Sequence, residues 1–283
     1  MALVTSTKML LDAQAGGYAV GAFNAENMEM VQAIISAATE LRAPVMIQTT
    51  PSTVKYAGLD MYLANVRTAA VKADVPVCLH LDHGSSFELA MQALRVGYTS
   101  IMIDGSQKAF HENVKLTRRV AEACSPSLIP VEAELGKVGG KEDDMDGGSG
   151  GYTDPMEAKE FVERTGVGSL AVAIGTAHGV YAGEPMLDLD RLTEIRRVVS
   201  IPLVLHGASG LSDEAVRESI QRGICKVNYA TELRIAYSAG IKDVLQEAPD
   251  TIDPKKYGAA GREYVKQLVM NRIKVCGCDG KIL

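Results

Sequence analysis

Short runs rich in β-branched residues alternate with longer amphipathic stretches along the whole chain. This alternation is typical of parallel strands joined by helices, since each amphipathic stretch can pack its apolar side against the sheet. Eight strands are predicted, at residues 18–23, 45–49, 77–82, 100–103, 128–132, 169–174, 202–206 and 225–229. One (β/α)8 barrel of about 250 residues nearly accounts for the chain of 283, so we predict a single α/β TIM barrel domain over residues 1–283.

Capping residues mark several predicted helix boundaries. Asn27, Asp154 and Ser212 supply side chains that can cap a helix N-terminus. The corresponding helices are predicted at residues 28–40, 156–163 and 215–222. Beyond the last strand, residues 232–246 and an extra C-terminal helix near residues 261–275 complete the predicted barrel.

Composition excludes several classes of partner. The formal net charge is −6, the pI is near 5.5, and no cluster of Lys and Arg is long enough to track a nucleic-acid backbone. The longest apolar runs fall far short of the roughly 20 residues that span a bilayer. Five cysteines without a Cys-x-x-Cys pair argue against a disulfide framework, and Cys276 and Cys278 are poorly spaced for structural zinc. We expect no nucleic-acid partner, no membrane association and a cytoplasmic location.

Residues 136–152 form the one long stretch without periodicity, and they are rich in glycine and acidic residues. Loops longer than about 12–15 residues in compact domains are often lids or disordered segments. Because this loop follows a predicted strand, it would lie on the catalytic face of a barrel and could close over a ligand. The alternative is a floppy acidic loop at the surface.

Polar residues gather just past the C-terminal ends of the predicted strands, which converge at one mouth of a parallel barrel. Three of the five histidines, His83, His178 and His206, stand at such positions. Three imidazoles and an open position suit catalytic zinc, although each could instead be a buried structural histidine. His80 shares a strand face with Asp82, and we predict that it serves packing or hydrogen bonding.

Small residues follow the last three predicted strands, where a phosphate group would need backbone N–H groups. These positions are Gly179, Gly207, Ala208, Ser209 and Gly210, with Asn228, Tyr229, Ala230 and Thr231. The corresponding loops of many barrels bind phosphate, because unpaired N–H groups and a helix dipole favour an anion there. Ordinary turn formation is the alternative explanation for the glycines.

Four motifs, in this order, resemble those of the class II, metal-dependent ketose-bisphosphate aldolases, and the likeness covers essentially the full chain. The motifs are His80-Leu81-Asp82-His83-Gly84, Val131-Glu132-Ala133-Glu134-Leu135-Gly136 with Gly139-Gly140-Lys141-Glu142-Asp143, Gly175-Thr176-Ala177-His178-Gly179 and Leu205-His206-Gly207-Ala208-Ser209-Gly210. The segments after His206 and after the last strand are similar to the tagatose-1,6-bisphosphate branch, whereas Tyr229 and Arg262 depart from it. The resemblance implies zinc-dependent, reversible cleavage of D-tagatose 1,6-bisphosphate to dihydroxyacetone phosphate and glyceraldehyde 3-phosphate. Fructose 1,6-bisphosphate is the alternative substrate.

The resemblance also implies a role for each matching residue. The implied zinc ligands are His83, His178 and His206. Glu134 matches the alternative or second metal position of the family. Asp82 matches the acid and base that acts on the C4 hydroxyl, and Glu142 matches the carboxylate that moves a proton at C3 of dihydroxyacetone phosphate.

Substrate contacts and partners follow from the same resemblance. The implied substrate-binding residues are Thr50, Gly179, Gly207, Ala208, Ser209, Asn228, Tyr229, Ala230, Thr231 and Arg262. Carbonyls near Gly179 and Gly207 would hold a monovalent cation, Na⁺ or K⁺, and Arg262 could reach the distal phosphate from a neighbouring subunit. The implied partners are a phosphorylated ketohexose substrate, further copies of the chain in a homodimer or homotetramer, and an accessory aldolase subunit.

Two other functions remain open at this point. A Schiff-base aldolase would use a lysine and no metal, and Lys226 lies within the last predicted strand. Three convergent histidines have no role in that reaction. A non-catalytic barrel subunit of an aldolase complex would keep the fold and lose part of the metal set, but Asp82 and all three histidines are present.

Overall fold

The computed structural model describes residues 3–142, 145–146, 151–181, 183 and 185–282. Its strands are β1 (Val20–Asn24), β2 (Val45–Thr49), β3 (Val77–Gly84), β4 (Ser100–Ile103), β5 (Val131–Leu135), β6 (Gly139–Glu142), β7 (Met145–Asp146), β8 (Ser169–Val172), β9 (Ala177–His178), β10 (Leu203–Leu205) and β11 (Ile224–Tyr229). Eight of them close into a parallel barrel in the order β1, β11, β10, β8, β5, β4, β3, β2, which confirms the predicted TIM barrel. Since β11 lies between β1 and β10, the first and last strands meet and close it.

The eight barrel strands are buried along their whole length, because one face lines the barrel interior and the other packs against helices. Side chains alternate along a strand, so residues two apart share a face. Lys226 therefore shares a face of β11 with Asn228, and Glu132 shares a face of β5 with Glu134. These four polar side chains are buried inside the barrel, where each of them needs a hydrogen-bond or ion-pair partner.

Helices surround the barrel. In the described part of the chain they are α1 (Ser6–Gly16), α2 (Met28–Glu40), α3 (Pro51–Ala57), α4 (Leu59–Val71), α5 (Phe87–Val96), α6 (Phe110–Cys124), α7 (Pro155–Thr165), α8 (Leu189–Val198), α9 (Asp213–Gln221), α10 (Thr231–Glu247) and α11 (Pro254–Cys276). Asn27, Asp154 and Ser212 cap α2, α7 and α9 as predicted, and α11, the extra C-terminal helix, packs against α2 and α10. None of these helices is both long enough and apolar enough to cross a membrane.

Most predicted boundaries differ from the structure by two residues or fewer, but the starts of two elements, β5 and α11, differ by three or more for identifiable reasons. β5 begins at Val131 rather than at residue 128, because Leu128 adopts a left-handed φ of 55° after a short 3-10 turn. Helix α11 begins at Pro254 rather than near residue 261, with Oδ1 of Asp253 accepting a hydrogen bond from N of Lys255 at 3.1 Å. Proline is well suited to the first position of a helix. The Pro- and Asp-rich segment interpreted as a turn is therefore partly the start of the helix.

The glycine-rich stretch at residues 136–152 contains secondary structure that its lack of periodicity did not indicate. Strand β6 pairs antiparallel with β7 and parallel with β9, so a small sheet joins this stretch to the strand that carries His178. Gly140 lies opposite His178 with a φ of 79°, and a side chain there would collide with the backbone of His178. The stem of the predicted loop is therefore pinned beside a predicted metal ligand. Residues 143, 144 and 147–150 lie outside the described part of the chain.

Candidate active site

The three histidines predicted as metal ligands lie together at the C-terminal mouth of the barrel. His83 is in β3, His178 is in β9 and His206 directly follows β10. The ring centroid of His83 lies 5.0 Å from that of His178 and 4.7 Å from that of His206, and those two are 6.0 Å apart. One ring nitrogen from each lies within 4.8 Å of the other two. Such a set can hold one metal ion, since catalytic zinc accepts three imidazoles and keeps an open position.

A break in strand register brings Asp82 and His83 to the same site. Successive side chains of a regular strand point to opposite faces, which would turn one of the two away from the mouth. The pairing of β3 with β4 shifts register between Leu81 and Gly84, and His83 has a φ of 47°. A bulge re-aims side chains in this way, and left-handed backbone at a residue other than glycine is a strain that often accompanies function.

Two buried carboxylates stand beside the histidines. Asp104 follows β4, and its Oδ2 lies 2.8 Å from Nδ1 of His83. Oε2 of Glu134 lies 3.5 Å from Nδ1 of His206, outside hydrogen-bonding geometry, and has no hydrogen-bond partner in the described part of the chain. Burying an oxygen without a donor costs free energy, and a cation in the site would compensate for it.

The pKa values of these two carboxyls shift in opposite directions. Burial raises the pKa of Glu134, and the negative charge of Asp104 raises it further. Burial also acts to raise the pKa of Asp104, but the hydrogen bonds with His83 and with the backbone N–H of Ser106 outweigh it and hold that pKa below its usual range. A positive ion in the site would therefore stabilise the ionised form of Glu134 more than that of Asp104.

Asp82 is held by a ring of amide side chains at the same mouth. Nδ2 of Asn24 donates to Oδ2 of Asp82 at 3.1 Å, and Nδ2 of Asn228 donates to Oδ1 at 3.2 Å. Nε2 of Gln48 donates to Oδ1 of Asn24 at 2.8 Å and lies 3.4 Å from Oδ2 of Asp82. These residues come from β1, β2, β3 and β11, which are neighbours in the barrel. Both carboxylate oxygens are thereby oriented by neutral donors.

A second polar layer lies deeper in the barrel. Oε1 of Glu132 accepts hydrogen bonds from Nζ of Lys226 at 3.0 Å and from Nε2 of His206 at 3.1 Å. Burial alone would raise the pKa of Glu132, but Lys226 and His206 outweigh it and lower that pKa below its usual range. His80 packs beside this group, with Nδ1 2.8 Å from Oγ of Ser100, in agreement with its predicted role. Lys226 is engaged by Glu132 and fully buried, which disfavours its use as a Schiff-base nucleophile.

The loops predicted to bind phosphate meet where α10 begins. Gly207 has a φ of 67°, and a Cβ there would come within 2.6 Å of O of Ala177. Oγ of Ser209 accepts a hydrogen bond from N of Ala230 at 3.3 Å, directly before α10. Oη of Tyr181 donates to O of Gly207 at 2.7 Å and accepts from N of Ala177 at 2.8 Å. The backbone of three loops is thus drawn together at a helix N-terminus, which favours an anion.

Other predicted substrate-binding residues also follow the barrel strands. Gly179 comes directly after β9 with a φ of 90°, and Ala208 and Thr231 flank the same meeting point of loops. Thr50 follows β2 and caps α3, and its Oγ1 lies 3.0 Å from Oγ1 of Thr53. These positions are consistent with contacts to a ligand held at the mouth.

Two predicted residues, Tyr229 and Arg262, have side chains that do not face the mouth, and the side chain of a third, Glu142, is not described. The ring of Tyr229 stacks on Phe23 with centroids 5.5 Å apart, and it faces the helices rather than Asp82. Arg262 lies on the outside of α11, where it donates to Oε1 of Gln32 on α2 at 2.7 Å. The backbone of Glu142 belongs to β6, but its side chain lies outside the described part of the chain.

Several residues of the site were not predicted from the sequence. Asn24 and Gln48 complete the amide ring, Asp104 binds His83, and Glu132 binds His206. Asn24 and Asp104 directly follow the strands predicted at residues 18–23 and 100–103, so the rule that selected the histidines could also have found them. Asn24, Gln48 and Glu132 are polar residues at or within apolar strands, which is a signal of buried function in its own right.

Comparisons with known proteins agree with this geometry. The sequence profile described as "Fructose-bisphosphate aldolase class-II" matches residues 4–281. The YdjI aldolase of Escherichia coli K12 is 38% identical, with a TM-score of 0.88 over 99% of this chain and 100% of that chain. A candidate fructose-1,6-bisphosphate aldolase from Coccidioides immitis is 32% identical, with a TM-score of 0.90 over 97% of this chain and 96% of that chain. Fructose-bisphosphate aldolase from Campylobacter jejuni, at 21% identity and a TM-score of 0.84 over 99% and 97% of the two chains, shares the fold.

Proposed function

Because the chain belongs to the class II fructose-bisphosphate aldolase family and is therefore an aldolase, we propose that it reversibly cleaves a ketose 1,6-bisphosphate. The products are dihydroxyacetone phosphate and glyceraldehyde 3-phosphate. The observation that carries the proposal is the position of Asp82, which directly precedes His83, a member of the cluster of three histidines. Residues 1–283 would form one catalytic domain.

The residues present fit a metal ion. His83, His178 and His206 present ring nitrogens within 4.8 Å of one another, and Glu134 adds a buried oxygen without a hydrogen-bond donor among the described residues. We propose that these side chains hold Zn²⁺, for which imidazole and carboxylate are suitable ligands. When bound, the ion would supply Lewis-acid stabilisation of the negative charge left by carbon–carbon bond cleavage.

Asp82 is the acid and base of the proposed reaction. In the cleavage direction it takes the proton of the C4 hydroxyl while the C3–C4 bond breaks and C4 becomes the aldehyde carbon. The electron pair of that bond stays with the three-carbon fragment as an enediolate. Asn24 and Asn228 each donate to one carboxylate oxygen of Asp82, so its orientation is fixed before substrate enters.

Glu142 would return a proton to C3 of the enediolate to give dihydroxyacetone phosphate. This step needs a closed site, because water would otherwise compete with the carboxylate as a proton donor. The parallel pairing of β6 with β9 supports the proposal, since it ties the backbone of the loop to the strand that carries His178.

Phosphate binding is proposed at the loops that meet before α10. Gly179, Gly207, Ala208 and Ser209 would contribute, together with the segment Asn228, Tyr229, Ala230 and Thr231. Carbonyls near Gly179 and Gly207 would hold a monovalent cation, and Tyr229 would contribute through its backbone only, since its ring faces the helices. Thr50 would contact substrate at the end of β2.

An assembly of several subunits would account for the position of Arg262. Its guanidinium lies on the outer surface between α11 and α2, so it can approach a distal phosphate only in another copy of the chain. We therefore propose a homodimer or homotetramer, with an accessory aldolase subunit as a further partner. A cytoplasmic location is proposed from the five cysteines, all of which are unpaired and buried.

D-tagatose 1,6-bisphosphate is our first choice of substrate. The segments after His206 and after β11 are similar to the tagatose branch, and this likeness supports the choice. Fructose 1,6-bisphosphate is the second candidate, because Arg262 resembles the fructose branch and one structural relative is described as a candidate fructose-bisphosphate aldolase. The remote alternative of a non-catalytic subunit is disfavoured by the presence of Asp82 and three convergent histidines.

Initial rates of dihydroxyacetone phosphate release test the proposal. Purified protein is assayed with both bisphosphates before chelation, after EDTA, and after Zn²⁺ is added back. Chelator-sensitive cleavage that zinc restores is expected, and the ratio of the two kcat/KM values identifies the preferred C4 epimer. Activity that survives thorough removal of metal would contradict the zinc site, and no cleavage of either bisphosphate with zinc supplied would contradict the proposed substrates.

A further inference from the structure

We propose that Glu132 and Lys226 form a buried positioning device for His206, which fixes the ring so that its Nδ1 faces the metal site. This inference rests on the proposed function, since it concerns the zinc site proposed above. It assigns a role to two buried charged residues that the proposed chemistry does not otherwise use.

The contacts form a short chain inside the barrel. Oε1 of Glu132 lies 3.0 Å from Nζ of Lys226 and 3.1 Å from Nε2 of His206. On the other side of the imidazole, Nδ1 of His206 lies 3.0 Å from Nε2 of His83. Glu132 is 2% exposed, and Lys226 and His206 are 0% exposed. Solvent is therefore excluded from the contacts that hold the ring.

These contacts select one tautomer of His206. A carboxylate only accepts hydrogen bonds, so its partner Nε2 must carry the proton. The lone pair of the neutral ring then lies on Nδ1, the nitrogen that faces His83 and Glu134. A histidine that binds metal through one nitrogen commonly donates its other N–H to a carboxylate or carbonyl, which fixes the ring and strengthens it as a ligand.

Lys226 explains how a second carboxylate can be placed so close to the metal site. Glu132 lies two residues before Glu134 on the same face of β5, one layer deeper in the barrel, so the two negative charges are near each other. The ammonium group of Lys226 compensates for the deeper one. Glu132 therefore hydrogen-bonds to Nε2 of His206, whereas Oε2 of Glu134 lies on the Nδ1 side of that ring, at the proposed metal site.

Two double variants test this device without leaving a buried charge unpaired. E132L/K226M removes the charges and the acceptor for Nε2 of His206. E132Q/K226M removes the charges but keeps an amide oxygen that can accept the same N–H. Ser100→Ala serves as the control, because Ser100 contacts His80 in the same region without contacting His206.

The first readout is Zn²⁺ affinity, measured by competition with a chromogenic chelator at one pH. We expect E132L/K226M to bind Zn²⁺ about 10–100-fold more weakly than wild type, with E132Q/K226M recovering most of the loss and Ser100→Ala unchanged. The visible absorption of bound Co²⁺ should change in E132L/K226M, because it reports ligand geometry. Affinity within about threefold of wild type and an unchanged Co²⁺ spectrum would overturn the inference.

A second readout needs only the wild-type protein and holds even if a variant fails to fold. Long-range ¹H–¹⁵N NMR of the zinc-loaded protein identifies which nitrogen of His206 carries the proton and which is free to bind metal, and we expect the proton on Nε2. A proton on Nδ1 would overturn the inference while leaving aldolase activity intact. If wild-type protein binds no Zn²⁺ in the chelator assay, the proposed function itself fails, and the inference fails with it.

Discussion

The two sides of the barrel mouth solve the same burial problem with different chemistry. On one side, His83, His178 and His206 meet the carboxylates Asp104 and Glu134; we call this the ligand side. On the other, Asp82 lies among Asn24, Gln48 and Asn228; we call this the acid side. Imidazoles and carboxyl groups face each other on the ligand side, whereas a single carboxylate faces neutral amides on the acid side.

On the acid side the neighbours of the carboxylate orient it, whereas on the ligand side they compensate for its charge. Neutral amides orient Asp82 without adding a fixed positive charge that would compete for it. The ligand side depends on compensating charges, and its carboxyls shift their pKa values in opposite directions. We therefore expect changes on the acid side to affect the rate of proton transfer, and changes on the ligand side or beneath it to affect metal affinity and stability.

The largest expected effect is on the acid side. Asp82→Asn keeps the size of the side chain but cannot take the C4 hydroxyl proton, so kcat should fall by about 10²–10⁴-fold. Zn²⁺ affinity should stay within about threefold of wild type, because the residue is proposed to act on substrate rather than on metal. Steady-state kinetics and chelator competition on the same preparation measure both. A large loss of zinc affinity with little change in kcat would mean that the two sides are not separable.

The next effect concerns the buried charge beneath the ligand side. Lys226→Met leaves Glu132 without its cation, and the free energy of unfolding should fall by about 3–5 kcal/mol. Urea unfolding measures the change, and adding Glu132→Gln should recover most of it. Lys242→Met, at an exposed lysine of α10, is the control and should lie within about 0.5 kcal/mol of wild type. Equal effects of the two lysine changes would contradict a role for charge compensation in the barrel.

A smaller effect is expected on stability at low pH, because the pKa of Asp104 is lowered in the folded protein. Its pKa is lower in the folded protein than in the unfolded chain, where it is about 4, so its carboxylate stabilises the fold above that pH. The contribution is lost as the pH falls through and below that value. Asp104→Asn should therefore lower the free energy of unfolding by about 1–3 kcal/mol at pH 7, with the difference shrinking steadily below pH 4. Chemical unfolding of chelator-treated protein over a pH series checks this, and a difference independent of pH would argue against it.

The smallest effect should come from Gln48, the member of the amide ring that lies farthest from Asp82. Gln48→Ala removes one hydrogen bond to Asn24 and a weaker approach to Asp82, so kcat should fall about two- to tenfold, as expected for one net hydrogen bond. Zn²⁺ affinity should not change. Kinetics with saturating zinc measure the effect, and loss of zinc affinity in this variant would show that the amide ring also supports the ligand side.

The barrel and the histidine cluster were predictable because both depend on local pattern. Alternating strands and helices define the barrel, and His178 and His206 follow strands whose ends converge by topology alone. The same local rules do not find Gln48, which lies within the strand predicted at residues 45–49. Its role depends on which strands become neighbours in the barrel, and Gln48 and Asp82 are separated by 34 positions in sequence.

Backbone conformation set the other limit on prediction. Nothing in the motif around His83 indicates its left-handed φ or the register shift that turns Asp82 and His83 to one site. Similarly, β6 is a glycine-rich segment that forms a strand by pairing with β7 and with the more distant β9. Pairing partners distant in sequence determined these features, and residue type alone did not.

Closure of the barrel by β11 also limits when this protein can acquire its activity during synthesis. Asn228 and the loop before α10 belong to the last barrel strand and the segment after it, and β11 must insert between β1 and β10. A nascent chain that lacks this strand has neither the complete ring around Asp82 nor the loop contact between Ser209 and Ala230. Contacts between distant parts of a chain slow folding, because the entropy of loop closure is lost before those contacts form. Products that end before β11 would therefore be inactive, and the active form would finish folding only after β11 has emerged from the ribosome.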